Sequence, residues 1–113
     1  MNKISGVGID IVDVKRFRQK KYEDNKKFYK KIFVKSEIDY CLKFKKCEQH
    51  FAGKFAIKEA IKKSIIEQID FLEIITKHKN SKPIVELKIN NSCNFFVSVS
   101  HEKDYAIAIV IKQ

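Results

Sequence analysis

The segment Phe51-Ala-Gly-Lys-Phe-Ala-Ile-Lys-Glu-Ala-Ile-Lys-Lys63 dictates a helix, and the rest of the chain is arranged about it. Ala52, Ala56, Ile57, Ala60, Ile61 and Ile65 recur at helical spacing and face a core. Residues four apart lie above one another, so Phe55, Glu59 and Lys63 make one stripe and Lys54, Lys58 and Lys62 a second beside it. A carboxylate among ammonium groups at this spacing suits a phosphate-bearing ligand. The bland alternative is a solvated glutamate shared by its lysine neighbours. The helix is expected from about Glu48 to Gln68.

Working outward, the first twelve or so residues read as a strand. Val7, Ile9 and Ile11 alternate with Gly6, Gly8, Asp10 and Val12, which leaves one bulky face and one nearly bare. Glycine within a strand marks a close approach to the backbone. Asp10 on that bare face offers hard oxygen to a cation if a second carboxylate arrives; a turn-forming aspartate at a strand end is the alternative. Short helices are expected over Val14–Lys21 and Asn25–Phe33, then a third from an N-cap at Ser36 to about Lys46, with Ile38, Cys41, Leu42 and Phe44 as its buried face. Strands follow near Leu72–Lys77, Ile84–Ile89, Asn94–Ser100 and Tyr105–Lys112, the last two joined by a turn through His101 to Asp104. The expected fold is α+β, an antiparallel sheet packed on one long helix with short helices after the first strand. No linker or repeat divides it, so residues 1–113 form one domain.

Composition sets bounds independently. The formal charge is +10, carried by 22 Lys and 2 Arg against 14 acidic residues, and such a field attracts polyanions: nucleic acid, anionic membrane, a phosphate-rich cofactor or an acidic protein. No run approaches the roughly 18 apolar residues of a membrane span, and the N-terminus starts a strand instead of a signal peptide, so a cytoplasmic location is expected. Cys41, Cys47 and Cys93 are odd in number and lack CxxC spacing, which excludes a zinc knuckle or disulfide framework and leaves reduced, mostly buried thiols.

Four segments in order, Gly6-Val-Gly-Ile-Asp10-Ile-Val-Asp13, Phe55-Ala-Ile-Lys58-Glu59-Ala-Ile-Lys-Lys63, Ser81-Lys-Pro83 and Ser98-Val-Ser-His101, resemble the 4'-phosphopantetheinyl transferases of the short bacterial holo-acyl-carrier-protein synthase type. The resemblance spans nearly the whole chain. It implies transfer of the phosphopantetheine arm of coenzyme A to a serine of an acyl carrier protein, in support of fatty acid synthesis, releasing adenosine 3',5'-bisphosphate. It further implies Mg²⁺ held by Asp10 and Glu59, with Glu59 or a water it orients taking the serine proton, and Lys63 neutralising the departing phosphate. Lys54, Lys45 and Lys46 correspond to basic positions near the nucleotide's phosphates, and His101 to a coenzyme A contact from the sheet edge, in its own or a neighbouring subunit's site. Arg16, Lys27, Phe28 and Lys31 fall where the family docks its acidic carrier protein. A homotrimer with coenzyme A between subunits is implied as well.

The chain departs from the pattern in places. Ser64-Ile-Ile-Glu-Gln-Ile-Asp70 holds no glycine where relatives have a glycine-containing turn, so a longer helix is expected; Ser81 stands for the usual glycine, and Glu102 for the usual aspartate. Two rivals come from other classes. A nucleic-acid-binding module would need exposed aromatics interleaved with basic residues, whereas the aromatics here fall on apolar faces. A scaffold protein leaves Asp10, Glu59 and the bare glycine face without a reason.

Overall fold

The computed structural model describes residues 3–89 and 93–113. The start of the expected first strand, residues 1 and 2, lies outside them. Strand β1 (Gly6–Asp13) leads through α1 (Lys15–Arg18) and a single 3-10 turn to α2 (Lys26–Lys30) and α3 (Lys35–Leu42). The long helix α4 (Cys47–Ser64) follows, then a 3-10 turn at Phe71–Glu73 and strands β2 (Ile74–Lys79), β3 (Lys82–Leu87), β4 (Phe95–His101) and β5 (Tyr105–Lys112). The sheet is divided: β1, β5 and β4 form one antiparallel sheet in that order, and β2 and β3 a separate hairpin. The α+β architecture with one long helix on an antiparallel sheet is as expected.

The bare face of β1 receives α4. A Cβ built on Gly8 would stand 1.8 Å from the carbonyl oxygen of Ala60, and one on Gly6 2.0 Å from that of Ser64. Across the ladder Gly8 pairs with Val110 and Asp10 with Ala108, and the small Ala106 and Ala108 on β5 are likewise buried beneath the helix. Absent side chains on β1 and small ones on β5 thus let a helix backbone approach the sheet directly. The other face is turned outward: Val7, Ile9 and Ile11 on β1, Tyr105, Ile107 and Ile109 on β5, and Phe96 on β4 are all exposed.

The short helices fold over the N-terminal half of α4 and build an aromatic core. Phe51 meets Tyr29 at 4.7 Å between ring centroids and Phe33 at 5.2 Å, and Phe17 packs against all three. These helices are shorter than expected because their polar residues leave only one or two apolar anchors apiece.

Four local expectations change. Helix α4 stops at Ser64, not Gln68: Ile65 is extended at φ −119°, and the Ser64 hydroxyl donates to the Ile61 carbonyl at 2.8 Å, competing with the next helical turn. The glycine-free stretch after it is therefore irregular, and Ile66 is 95% exposed. Helix α3 is capped at Val34 instead of Ser36, because the Glu37 carboxylate reaches back to accept the Val34 N–H at 2.9 Å. His101 ends strand β4, paired with Ala106, and the turn is confined to residues 102–104. Of the thiols, all unbridged, Cys41 alone is buried while Cys47 and Cys93 are half-buried. In the β2–β3 hairpin, Asn80 and Ser81 take φ of 52° and 67°, so the serine in the family's glycine position occupies a left-handed conformation that glycine adopts more readily.

Candidate active site

Lys63 ties the helix to the strand. Its ammonium, half exposed, donates to Asp10 Oδ1 at 3.0 Å and to the Ile9 carbonyl at 3.0 Å. The Asp10 side chain is 14% exposed, enough to be reached from outside. Glu59 lies one turn before Lys63 and is half-buried; among the described residues no hydrogen bond or ion pair engages its carboxylate. The chain therefore presents two carboxylates and an ammonium on adjoining parts of β1 and α4. Among the described residues no three His, Cys, Asp or Glu side chains converge on a metal position. A cation here would draw its remaining ligands from substrate and water, the habit of Mg²⁺.

The second lysine stripe is not a phosphate-facing surface. Lys58 is fully buried, and its ammonium donates to Glu37 Oε1 at 2.7 Å, the Ile32 carbonyl at 2.8 Å and the Phe71 carbonyl at 3.0 Å. Glu37 Oε2 in turn accepts the backbone N–H of Thr76 at 2.8 Å and its hydroxyl at 2.6 Å. Lys54, only 3% exposed, donates to Thr76 Oγ1 at 2.9 Å and rests over the Tyr40 ring at 4.7 Å. Burial pulls both lysines below their usual range, with Glu37 opposing it. The second stripe is thus an internal network, and of its three lysines Lys62 alone reaches the surface, 3.7 Å above the Phe71 ring. Sequence reading missed Glu37. Its signal was position, since Glu37 and Cys41 are four apart on the face that α3 buries.

His101 joins a patch that gathers every histidine of the chain. Its Nδ1 lies 3.1 Å from Gln49 Oε1 and its ring edge meets His50 at 4.9 Å; His50 stacks on Phe44 at 3.7 Å, and His78 on Tyr40 at 4.5 Å. Burial lowers all three imidazoles, and His50, also facing His101, His78 and Lys54, falls to about 4. Lys45 and Lys46 are exposed just before α4, Lys46 as its N-cap residue and Lys45 beside a cleft shared with Arg18, Lys21 and Glu48.

The early helices present the expected basic and apolar mixture. Arg16 is exposed with its guanidinium 5.0 Å from the centre of the Phe55 ring, and Lys27 and Lys31 are exposed on and beside α2. Phe28 is half-buried, packed on Phe17 at 6.3 Å beneath the Lys20 ammonium. Phe55 itself is core.

Comparison with known proteins shows the family. Residues 6–110 match the family described as the 4'-phosphopantetheinyl transferase superfamily. The holo-[acyl-carrier-protein] synthase of Thermodesulfovibrio yellowstonii is 38% identical over 110 residues, covering 96% of this chain and 97% of that protein. That of Mycoplasma mycoides subsp. mycoides is 40% identical over 112 residues, covering 97% and 96%. Among solved structures, a Bacillus anthracis holo-(acyl-carrier-protein) synthase in complex with CoA (3',5'-ADP) has a TM-score of 0.82 at 28% identity, covering 96% of each chain. The chain belongs to the 4'-phosphopantetheinyl transferase superfamily and is an enzyme of its holo-[acyl-carrier-protein] synthase type.

Proposed function

We propose that this chain moves the 4'-phosphopantetheine group of coenzyme A onto a serine of an acyl carrier protein in an Mg²⁺-dependent reaction. The observation that carries the reading is the junction of β1 and α4, where Lys63 holds Asp10 one helical turn beyond an unengaged Glu59. Two carboxylates carrying free oxygen atoms fit a hard cation that completes its shell with diphosphate and water. Asp10 and Glu59 would hold the Mg²⁺, which would supply neutralisation of the diphosphate's charge.

The chain's own residues supply the rest. The serine oxygen forms a bond to the phosphorus that carries the pantetheine arm, and the bond from that phosphorus to the bridging oxygen breaks. Adenosine 3',5'-bisphosphate leaves with the electron pair. Glu59 accepts the serine proton, directly or through a water. Lys63, already aimed at Asp10, neutralises charge gathering on the departing phosphate. Exposed Lys45 and Lys46, with His101, are assigned to the nucleotide; Lys54 could contribute only if its ammonium left Thr76. Arg16, Lys27, Phe28 and Lys31 are assigned to the carrier protein, pairing steering charge with a ring at the surface.

A homotrimer is part of this reading. The outward face of the sheet carries Val7, Ile9, Ile11, Phe96, Tyr105, Ile107 and Ile109 without cover, a contiguous apolar surface that copies of this chain would bury. Among the described residues no helix is long and apolar enough to cross a membrane.

The test is chemical. Asp10→Asn and Glu59→Gln keep side-chain shape and remove charge, so each is expected to abolish transfer while leaving the thermal midpoint near that of the wild type. Chelation should stop the wild-type enzyme and added Mg²⁺ restore it. Full activity in either variant refutes the assignment.

A further inference from the structure

A network of buried charge lies beneath the site. Replacing a buried ion pair by apolar side chains is often neutral or stabilising, so charge enclosed with every partner satisfied points to specification of one arrangement. Here Lys58 and Glu37 are both completely buried, and among the described residues no buried side-chain nitrogen or oxygen lacks a partner. Lys58 binds three separate pieces of chain: the Ile32 carbonyl past α2, Glu37 on α3 and the Phe71 carbonyl in the 3-10 turn. Glu37 adds the cap of α3 through Val34 and the edge of β2 through Thr76.

Lys58 directly precedes Glu59. Because its three bonds have fixed directions, they set the rotation of α4 about its own axis, and with it the angle at which Glu59 and Lys63 emerge. The Phe71 bond has a second effect. The ring of Phe71 meets Phe55 at 5.4 Å and carries the Lys62 ammonium at 3.7 Å, while Phe55 carries the Arg16 guanidinium at 5.0 Å. Two cations at the surface are thereby seated on rings that the network anchors from below.

We propose that Glu37, Lys58 and Thr76 are positioning residues, which set the rotation of α4 and the seat of Phe71 and so present Glu59, Lys62 and Lys63 to the substrates. This rests on the transferase reading above. Removing one charge strands the other in the core, so Glu37→Gln and Lys58→Met should each lower the thermal midpoint. The double variant removes both charges, so neither is left stranded in the core.

If the network positions the site, the double variant recovers midpoint relative to either single variant, while kcat stays about tenfold or more below wild type and KM for coenzyme A stays within about threefold. Recovery of wild-type kcat in the double variant overturns the proposal and leaves the network a purely structural device. Phe71→Leu provides a second arm that spares the polar groups: a reduced kcat is expected, and an unchanged one overturns the proposal even if the double variant fails to fold. A wild-type protein inactive in the same assay would instead refute the transferase reading.

Discussion

Gly8→Ala adds one carbon where β1 and α4 touch backbone to backbone. That carbon would stand 1.8 Å from the Ala60 oxygen, 2.7 Å from its carbonyl carbon and 3.2 Å from its Cα. None of these atoms is the tip of a flexible side chain, so no rotamer change relieves the clash. Strand and helix must separate by about 1.2 Å to bring the oxygen contact from 1.8 to 3.0 Å, and the 3.0 Å bond from Lys63 to Asp10 lies on the same junction. Overpacking costs about 1–3 kcal/mol, and a clash between two rigid backbones belongs at the upper end, about 3 kcal/mol. At about 4 °C per kcal/mol, the midpoint should fall by roughly 12 °C. Gly53→Ala is the control, since its Cβ would meet only His101 Cδ2 and Val99 Cγ2 at 3.5 Å, an ordinary contact, inside a helix that prefers alanine by about 0.5–1 kcal/mol. Thermal unfolding by circular dichroism, with urea titration beside it, reads both variants. A Gly8→Ala protein that melts with the wild type would refute the packing account of the glycine face.

Ser81→Gly relieves a left-handed serine in the β2–β3 turn and should raise stability by about 1 kcal/mol, read as a higher urea midpoint; no gain would mean the turn bears no strain. Acid should destabilise the fold in a defined window. His50 has a folded pKa of about 4 against 6.5 unfolded, so between those values the unfolded chain binds the extra proton and stability falls as pH falls, by about 1–2 kcal/mol after discounting for partial exposure. His78 and His101 shift in the same direction, and a flat stability profile from pH 7 to 4.5 would contradict the assignment. Reversing Arg16, Lys27 and Lys31 to Glu should slow encounter with the carrier protein and leave coenzyme A binding nearly unchanged, and salt should mimic it because screening acts over about 8 Å. Normal carrier binding with lost coenzyme A binding would mean the two surfaces are interchanged.

What was legible in the sequence was what periodicity and family pattern encode. The helix of Ala52, Ala56, Ile57, Ala60 and Ile61 buries that face, and the alternation of β1 yields its two-faced strand. What was not legible depended on tertiary partners. The burial of Lys54 and Lys58 could not be read because an isolated helix has no Glu37 or Thr76 beside it; burial of the Lys58 ammonium is decided by a carboxylate supplied from α3, 21 residues away. The end of α4 was misjudged because absence of glycine does not continue a helix once a serine hydroxyl bonds its own turn. The glycines on β1 announced a close approach without naming its source, and α4 proved to be that source.

The most direct test weighs the product. Incubating the wild-type protein with an apo acyl carrier protein, coenzyme A and Mg²⁺, and then measuring the intact carrier by mass spectrometry, should reveal a gain of one phosphopantetheine group on its serine, with adenosine 3',5'-bisphosphate in equal amount. The gain should be absent with Glu59→Gln. A carrier of unchanged mass under these conditions, with the wild-type protein folded, would contradict the account.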